Sequence, residues 1–223
     1  MRQRTPCMGG EIYSSDNDND NDRTEKAIHL ALKMGYGHFD TVKIYGSEPA
    51  VGNALRKAIE DDKIIPREDV FLTSKLWSAD HHDPVSALKH TLRRVGMEYI
   101  DMYLVHWPVK LKPWACDAVP KCIDVSNFST NNIQNLLDFA SVPPAVNQVE
   151  MHPMWSKGGL GKAAGSTTSM MKENMASLDL KLDDDDLIEI DKLEERKIMR
   201  ADFLVNDTTS PYRSLEDLWD YEI

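Results

Sequence analysis

Two hydrophobic periods alternate along most of this chain. Residues 23–34 carry Ala27, Ile28, Leu30, Ala31 and Met34 on one helical stripe, and Gly35 stops it. The stretch at 35–45 (GYGHFDTVKIY) reads as a strand. Ser47 and Pro49 then open a second helix with Val51, Leu55, Ala58 and Ile59 inward. The run 70–77 (VFLTSKLW) is a strand, and Asp83 and Pro84 start a helix with Val85, Leu88, Leu92 and Val95 on one face, ended by Gly96. Residues 99–107 (YIDMYLVHW) are strand again. This βαβα repetition predicts a parallel sheet with helical crossovers.

The repetition then falters. Between Pro108 and Lys121 lie twelve residues with two prolines and no helical stripe, barely enough for a parallel crossover before the strand at 122–125. Order resumes with a helix at 129–140 and a strand at 145–151, while 156–169 is Gly/Ser-rich and has neither period. Asp183 to Asp186 form an acidic run that suits a helix N-terminus, with Leu187, Ile190 and Leu193 behind it on one face. Residues 204–223 read as an irregular arm whose Tyr212 and Trp219 need a surface to pack on. Five strands are recognisable, near Gly37, Val70, Tyr99, Cys122 and Ala145, where a closed (α/β)8 barrel needs eight. The expectation is therefore an α/β barrel domain over 23–223, incomplete near 108–121 and 155–170. Residues 1–22 precede it as an irregular, low-complexity segment.

The strand ends carry the chemistry. Asp40 with Tyr45, Lys75 and His106 are unlike polar residues placed at the C-terminal ends of apolar strands, where a parallel barrel builds its site. A phenol titrates near ~10 in water, and an adjacent ammonium favours its ionised form. Asp40 would keep Lys75 charged and placed. Tyr45, Lys75 and Asp40 thus make a complete proton donor, and His106 adds a hydrogen-bond donor for a carbonyl oxygen. No G-x-S-x-G and no Ser or Cys at these strand ends supports nucleophilic hydrolysis, so the set suits protonation of a carbonyl oxygen as a cofactor delivers hydride.

Charge and cysteine usage narrow the partners. A net charge of −11 argues against broad attraction to nucleic acid or anionic membrane, and no apolar run reaches the ~18 residues of a membrane span. Cys7, Cys116 and Cys122 lack the spacing of a disulfide framework or a zinc site, as expected for reduced cytoplasmic thiols. Asp16, Asp18 and Asp20 imitate the start of a calcium loop, but Asn21 and Ala27 stand where Gly and Glu are required, so no metal is expected. No G-x-G-x-x-G follows any strand, against a Rossmann fold.

Six separated motifs carry a resemblance. GHFDTVKIYGSEPAVG, LTSKLW, YLVHWP, DVSNFS, VNQVEMHP and the C-terminal VNDTTSPYRSLEDLWDYEI resemble, in order, the signatures of the aldo-keto reductase superfamily, and within it plant ketone reductases of the methylecgonone and codeinone reductase kind. The resemblance implies an (α/β)8 barrel, NADPH as cofactor and a catalytic tetrad of Asp40, Tyr45, Lys75 and His106. It also implies Ser126, Asn127 and Gln148 around the nicotinamide carboxamide, Glu173 and Asn174 at the adenine, and Trp77, Trp107 and Trp114 with His106 facing substrate. A monomer reducing a small aldehyde or ketone in the cytoplasm is the corresponding expectation.

The pattern also departs from the family. No counterpart of the first strand stands before Arg23, and Asp124 replaces a glycine. The segment bearing the seventh and eighth strands is missing, and Ala164, Gly165 and Met170 fall where the family's Lys-Ser…Arg motif holds the 2′-phosphate. A 2′-phosphate without cationic partners loses charge-assisted bonds worth roughly 1.5–3 kcal/mol each. The alternative reading is a shortened, non-catalytic relative without a complete cofactor bed.

Overall fold

The computed structural model describes residues 7–8, 18–109, 124–141, 143–150, 168–176, 179–208 and 210–222. Six strands follow in chain order: β1 (Cys7–Met8), β2 (His38–Asp40), β3 (Phe71–Leu76), β4 (Met102–Val105), β5 (Asp124–Ser126) and β6 (Asn147–Gln148). Their order in the sheet is their order in sequence. The pairs β1–β2, β2–β3, β4–β5 and β5–β6 are parallel. The helices are α1 (Asp18–Lys33), α2 (Glu48–Arg56), α3 (Pro84–Val95), α4 (Thr130–Leu137), α5 (Thr168–Ala176), α6 (Asp184–Asp191) and the single turn α7 (Leu215–Leu218). Six strands among the described residues, with α1, α2, α3 and α4 in the connections β1–β2, β2–β3, β3–β4 and β5–β6, make an incomplete α/β barrel.

Two features of the N-terminal segment differ from the sequence expectation. A strand does precede Arg23: Cys7 and Met8 pair with His38 and Phe39. Two residues are too short to show a period, so this strand is defined by its neighbour. The first helix starts at Asp18, inside the Asp/Asn run read as coil, where carboxylates favour the positive end of the helix. The connection at 110–123, the segment at 151–167 and Trp114 lie outside the described residues.

The chain forms two compact units, 1–75 with 85–103 and 162–181, and 76–84 with 104–161 and 182–223. In the first, α1, α2 and α3 bury Ile28, Leu32, Val51, Leu55 and Val95 with Phe39 and Leu72 of the strands. Ile28, Val51, Leu55 and Val95 lie on the helical stripes read from the sequence; Leu32 does not, and Val85, read as inward, is exposed. Gly52 of α2 lies so close to α3 that a Cβ there would meet Val95 O at 1.7 Å. α5 joins the same core through Met171, whose carbonyl accepts from Tyr36 Oη at 3.0 Å.

Arg67 latches the N-terminal ends of β3 and β4. Its guanidinium donates to Val70 O at 2.8 Å, Tyr99 O at 3.0 Å and Asp101 Oδ2 at 2.9 Å, and lies 3.8 Å from the Tyr99 ring centroid. Asp101 Oδ2 also accepts from Leu72 N at 2.9 Å.

The second unit is built on the C-terminal arm. Trp107 and Val109 pack with Ala201, Leu204, Leu218 and Trp219, flanked by Trp77 and Tyr212. Trp219 meets Trp107 edge to face at 5.7 Å, and its Nε1 donates to Arg200 O at 2.9 Å. The arm is thus less irregular than its sequence suggests, with a 3₁₀ turn at Asp202–Leu204 and a helical turn at Leu215–Leu218. α6 has the capping box its acidic run implies, Asp183 with Asp186, but Leu187, Ile188 and Leu193 stay exposed.

Candidate active site

In the first unit, β2 ends at Asp40, and β3 places Lys75 one residue before its own end. Asp40 and Lys75 form an ion pair with side chains only 6% and 5% exposed. Neither charge could be left alone at that depth, because an unpaired buried ion costs several kcal/mol. Tyr45 closes a 3₁₀ turn after β2, and Gly46 follows in the left-handed region at φ 67°. The Tyr45 ring is buried, and Lys75 Nζ lies 5.8 Å from its centroid.

The loop bearing Tyr45 is fastened on both sides. Thr41 Oγ1 and Ser47 Oγ share a hydrogen bond of 2.9 Å across it. Glu48, in the first turn of α2, accepts from Ser74 Oγ at 3.1 Å, beside Lys75, and is ion-paired with Arg94 of α3. Glu48, which is 1% exposed, is not singled out by the sequence. Nor is His38, which shares a strand face with Asp40 two residues on; Nε2 lies 2.8 Å from Thr73 Oγ1. Burial holds the His38 imidazole below its ordinary value; Lys75 acts the same way, and Asp40 and Asp101 oppose it.

In the second unit, β4 delivers His106, which is buried and whose N–H donates to Leu76 O at 3.1 Å. Its ring lies 5.5 Å from Trp77 and 5.9 Å from Trp107. Trp107 itself is buried in the arm cluster, and Trp77 is only partly covered.

The ends of β5 and β6 interlock beside it. Ser126 Oγ donates to Gln148 O at 2.9 Å and accepts from Asn127 Nδ2 at 3.1 Å, while Asn127 Nδ2 also donates to His106 O at 3.0 Å. Asn127 adopts φ 60°, a region that Asn enters more readily than most residues. Phe128 is held by Asn147, whose Nδ2 donates to Phe128 O at 2.9 Å. With these protons committed, what Ser126 and Asn127 still offer is acceptor capacity, the complement of a carboxamide NH₂. These residues fit the amide end of a nicotinamide.

Asp124 opens β5 opposite Leu104. Glu173 and Asn174 lie on α5, where Glu173 is exposed. Met170 is in the same helix, and Ala164 and Gly165 lie outside the described residues. Among the described residues no group of His, Cys, Asp and Glu could hold a metal ion, and no helix is long and apolar enough to cross a membrane.

The site residues thus fall in two groups, each on the C-terminal ends of parallel strands. The model of the aldo/keto reductase family matches residues 7–160. The chain belongs to that family.

Aldo/keto reductases are oxidoreductases, and the chain's relatives include plant members. Deoxymugineic acid synthase 1 of Hordeum vulgare is 32% identical over 290 residues, 91% of this chain and 92% of the relative. Its counterpart from Oryza sativa subsp. japonica is 33% identical, covering 89% and 90%. NADPH-dependent codeinone reductase 1-2 of Papaver somniferum is 29% identical, covering 97% and 94%. An alignment of 290 residues against a chain of 223 means that whole internal segments of the relative have no counterpart here.

Solved structures show the same fold. The aldo-keto reductase of the silkworm Bombyx mori superposes with a TM-score of 0.70 at 21% identity over 85% of this chain and 82% of that one, and it also has a structure complexed with NADPH. The aldose reductase from Schistosoma japonicum gives 0.71 at 24% identity, covering 83% and 88%.

Proposed function

We propose that this protein reduces the carbonyl group of a small aldehyde or ketone to an alcohol with NADPH, using Tyr45 as general acid. The observation that carries the proposal is the buried Asp40–Lys75 ion pair set 5.8 Å from the Tyr45 ring.

NADPH, when bound, would supply the hydride for the carbonyl carbon. Tyr45 gives its phenolic proton to the carbonyl oxygen, and the negative charge left on the phenol is stabilised by the Lys75 ammonium, which Asp40 holds in its charged form. His106 donates a hydrogen bond to the same substrate oxygen. Solvent returns the proton to Tyr45 before the next turnover. Ser126, Asn127 and Gln148 would hold the carboxamide, Glu173 and Asn174 the adenine, and Trp77 and Trp114 would face substrate, while Trp107, buried in the arm cluster, would not. With Met170, Ala164 and Gly165 in place of cationic partners, preference for NADPH over NADH is weak.

The test is cofactor oxidation at 340 nm with 4-nitrobenzaldehyde, for the parent and Tyr45→Phe, with both cofactors. The phenol's loss should remove about 10²–10⁴-fold of the rate, the usual worth of a positioned general acid. Equal rates in the two proteins reject Tyr45.

A second reading is favoured by the relatives' unmatched internal segments and by six strands, among the described residues, where a closed barrel has eight. It makes the chain a non-catalytic relative. Tight NADPH binding by calorimetry together with a cooperative thermal transition excludes that reading.

A further inference from the structure

The C-terminal tail reaches the strand end that carries Asn127. α4 starts three residues after Asn127, and Ser129 caps it by accepting from Asn132 N at 3.1 Å. The Ser129 hydroxyl proton goes to the carboxylate of Asp220, which also accepts from Asn132 Nδ2 at 3.2 Å. Glu222 accepts from Thr130 N at 2.9 Å. Two tail carboxylates therefore complete the cap of α4, one by orienting the cap hydroxyl and one by taking a free helix N–H.

The tail is held for this task. Asp220 and Tyr221 have φ values of 51° and 64°, two consecutive non-glycine residues in the left-handed region, a conformation that persists only where the surroundings over-determine it. Upstream, Trp219 is buried against Trp107 with Lys197 Nζ 3.4 Å over its face. The carboxylate of Glu150, two residues beyond β6, accepts from Ile198 N and Met199 N at 2.9 Å each.

Between the capped helix and β5 stands Asn127, itself left-handed and bonded to His106 O. Its geometry is bounded on the far side by two tethers, Asn147 on Phe128 and the tail on Ser129 and Thr130. We infer that Asp220 and Glu222 are positioning residues for the Ser126–Asn127 grip, so that the tail sets how firmly the nicotinamide end of the cofactor is held. This rests on the proposed role of Ser126 and Asn127.

The experiment uses the full chain carrying Asp220→Ala with Glu222→Ala, and the conservative pair Asp220→Asn with Glu222→Gln, which keeps both acceptors. NADPH is titrated by calorimetry, and hydrogen exchange is followed over peptides covering 126–132 without cofactor. The alanine pair should weaken NADPH binding roughly five- to tenfold, the ratio for loss of a cap, and speed exchange over 126–132. kcat at saturating NADPH should stay within about twofold, and the conservative pair should recover most of the affinity. Glu222→Ala alone, which leaves the Ser129 cap in place, serves if the pair does not fold and should show a smaller loss of the same kind. Unchanged affinity with faster exchange overturns the proposal, because the tail then only caps a helix. Unchanged exchange overturns it as well. A parent that binds no NADPH refutes the cofactor reading itself, and the proposal with it.

Discussion

Asp40 and Lys75 show how one residue's environment fixes the role of another. Two charges this deep are tolerable only together. Asp40→Asn should therefore lose roughly 3–5 kcal/mol of stability, the cost of stranding a buried charge, read as a lower urea midpoint with an unchanged slope. His38 supplies a pH dependence with the opposite origin. Its folded-state value lies below the ordinary 6.5, so between the two values the unfolded chain binds more protons. The stability this contributes is complete above about pH 6.5 and is lost as the pH falls toward the folded-state value. The urea midpoint should drop between pH 7.5 and 5.5 in the parent, and drop less in His38→Gln.

At the scale of elements, the longer helices and five of the strands were legible, whereas β1 and α5 were not. The stripes at 23–34 and 47–59 name most of the apolar residues that α1 and α2 bury, because a 3.6-residue period over three turns is a redundant signal, whereas of the stripe at 83–95 α3 buries Val95 and leaves Val85 exposed. β1 has two residues and carries no period; its partner alone defines it, whereas β6 lies within the strand read at 145–151. Asp40, Tyr45, Lys75 and His106 stood out in the sequence because each ends an apolar run. Glu48, Asn147, Asp220 and Glu222 were not, because their importance lies in partners between 19 and 92 positions away. Gly52 belongs here too: it read as an ordinary helix residue, but α3 passes too close for any side chain. Gly52→Ala must push α2 from α3 and should cost roughly 1–3 kcal/mol, the range for overpacking, seen as a lower thermal midpoint.

For the molecule as a whole, α6 presents uncovered apolar surface. α6 buries none of its residues, and Leu182, Leu187, Ile188 and Leu193 stand about half exposed around it. A helix with so little packing contributes little to the global transition. Leu187→Lys with Ile188→Lys should shift stability by no more than ~0.5 kcal/mol while raising the concentration at which the protein stays monodisperse in light scattering. An apolar face left open in water is an aggregation liability rather than a source of stability.

The latch at Arg67 gives the strands two unlike ends. Arg67, Tyr99 and Asp101 tie β3 to β4 at their beginnings, whereas Lys75 and His106 stand at their finishes. In a saturation library scored separately for soluble yield and for turnover per molecule, changes at Arg67 and Asp101 would deplete the first score and spare the second. Changes at Tyr45 would do the reverse. The same few strands would thus sort their variants into scarce but competent proteins and abundant but silent ones.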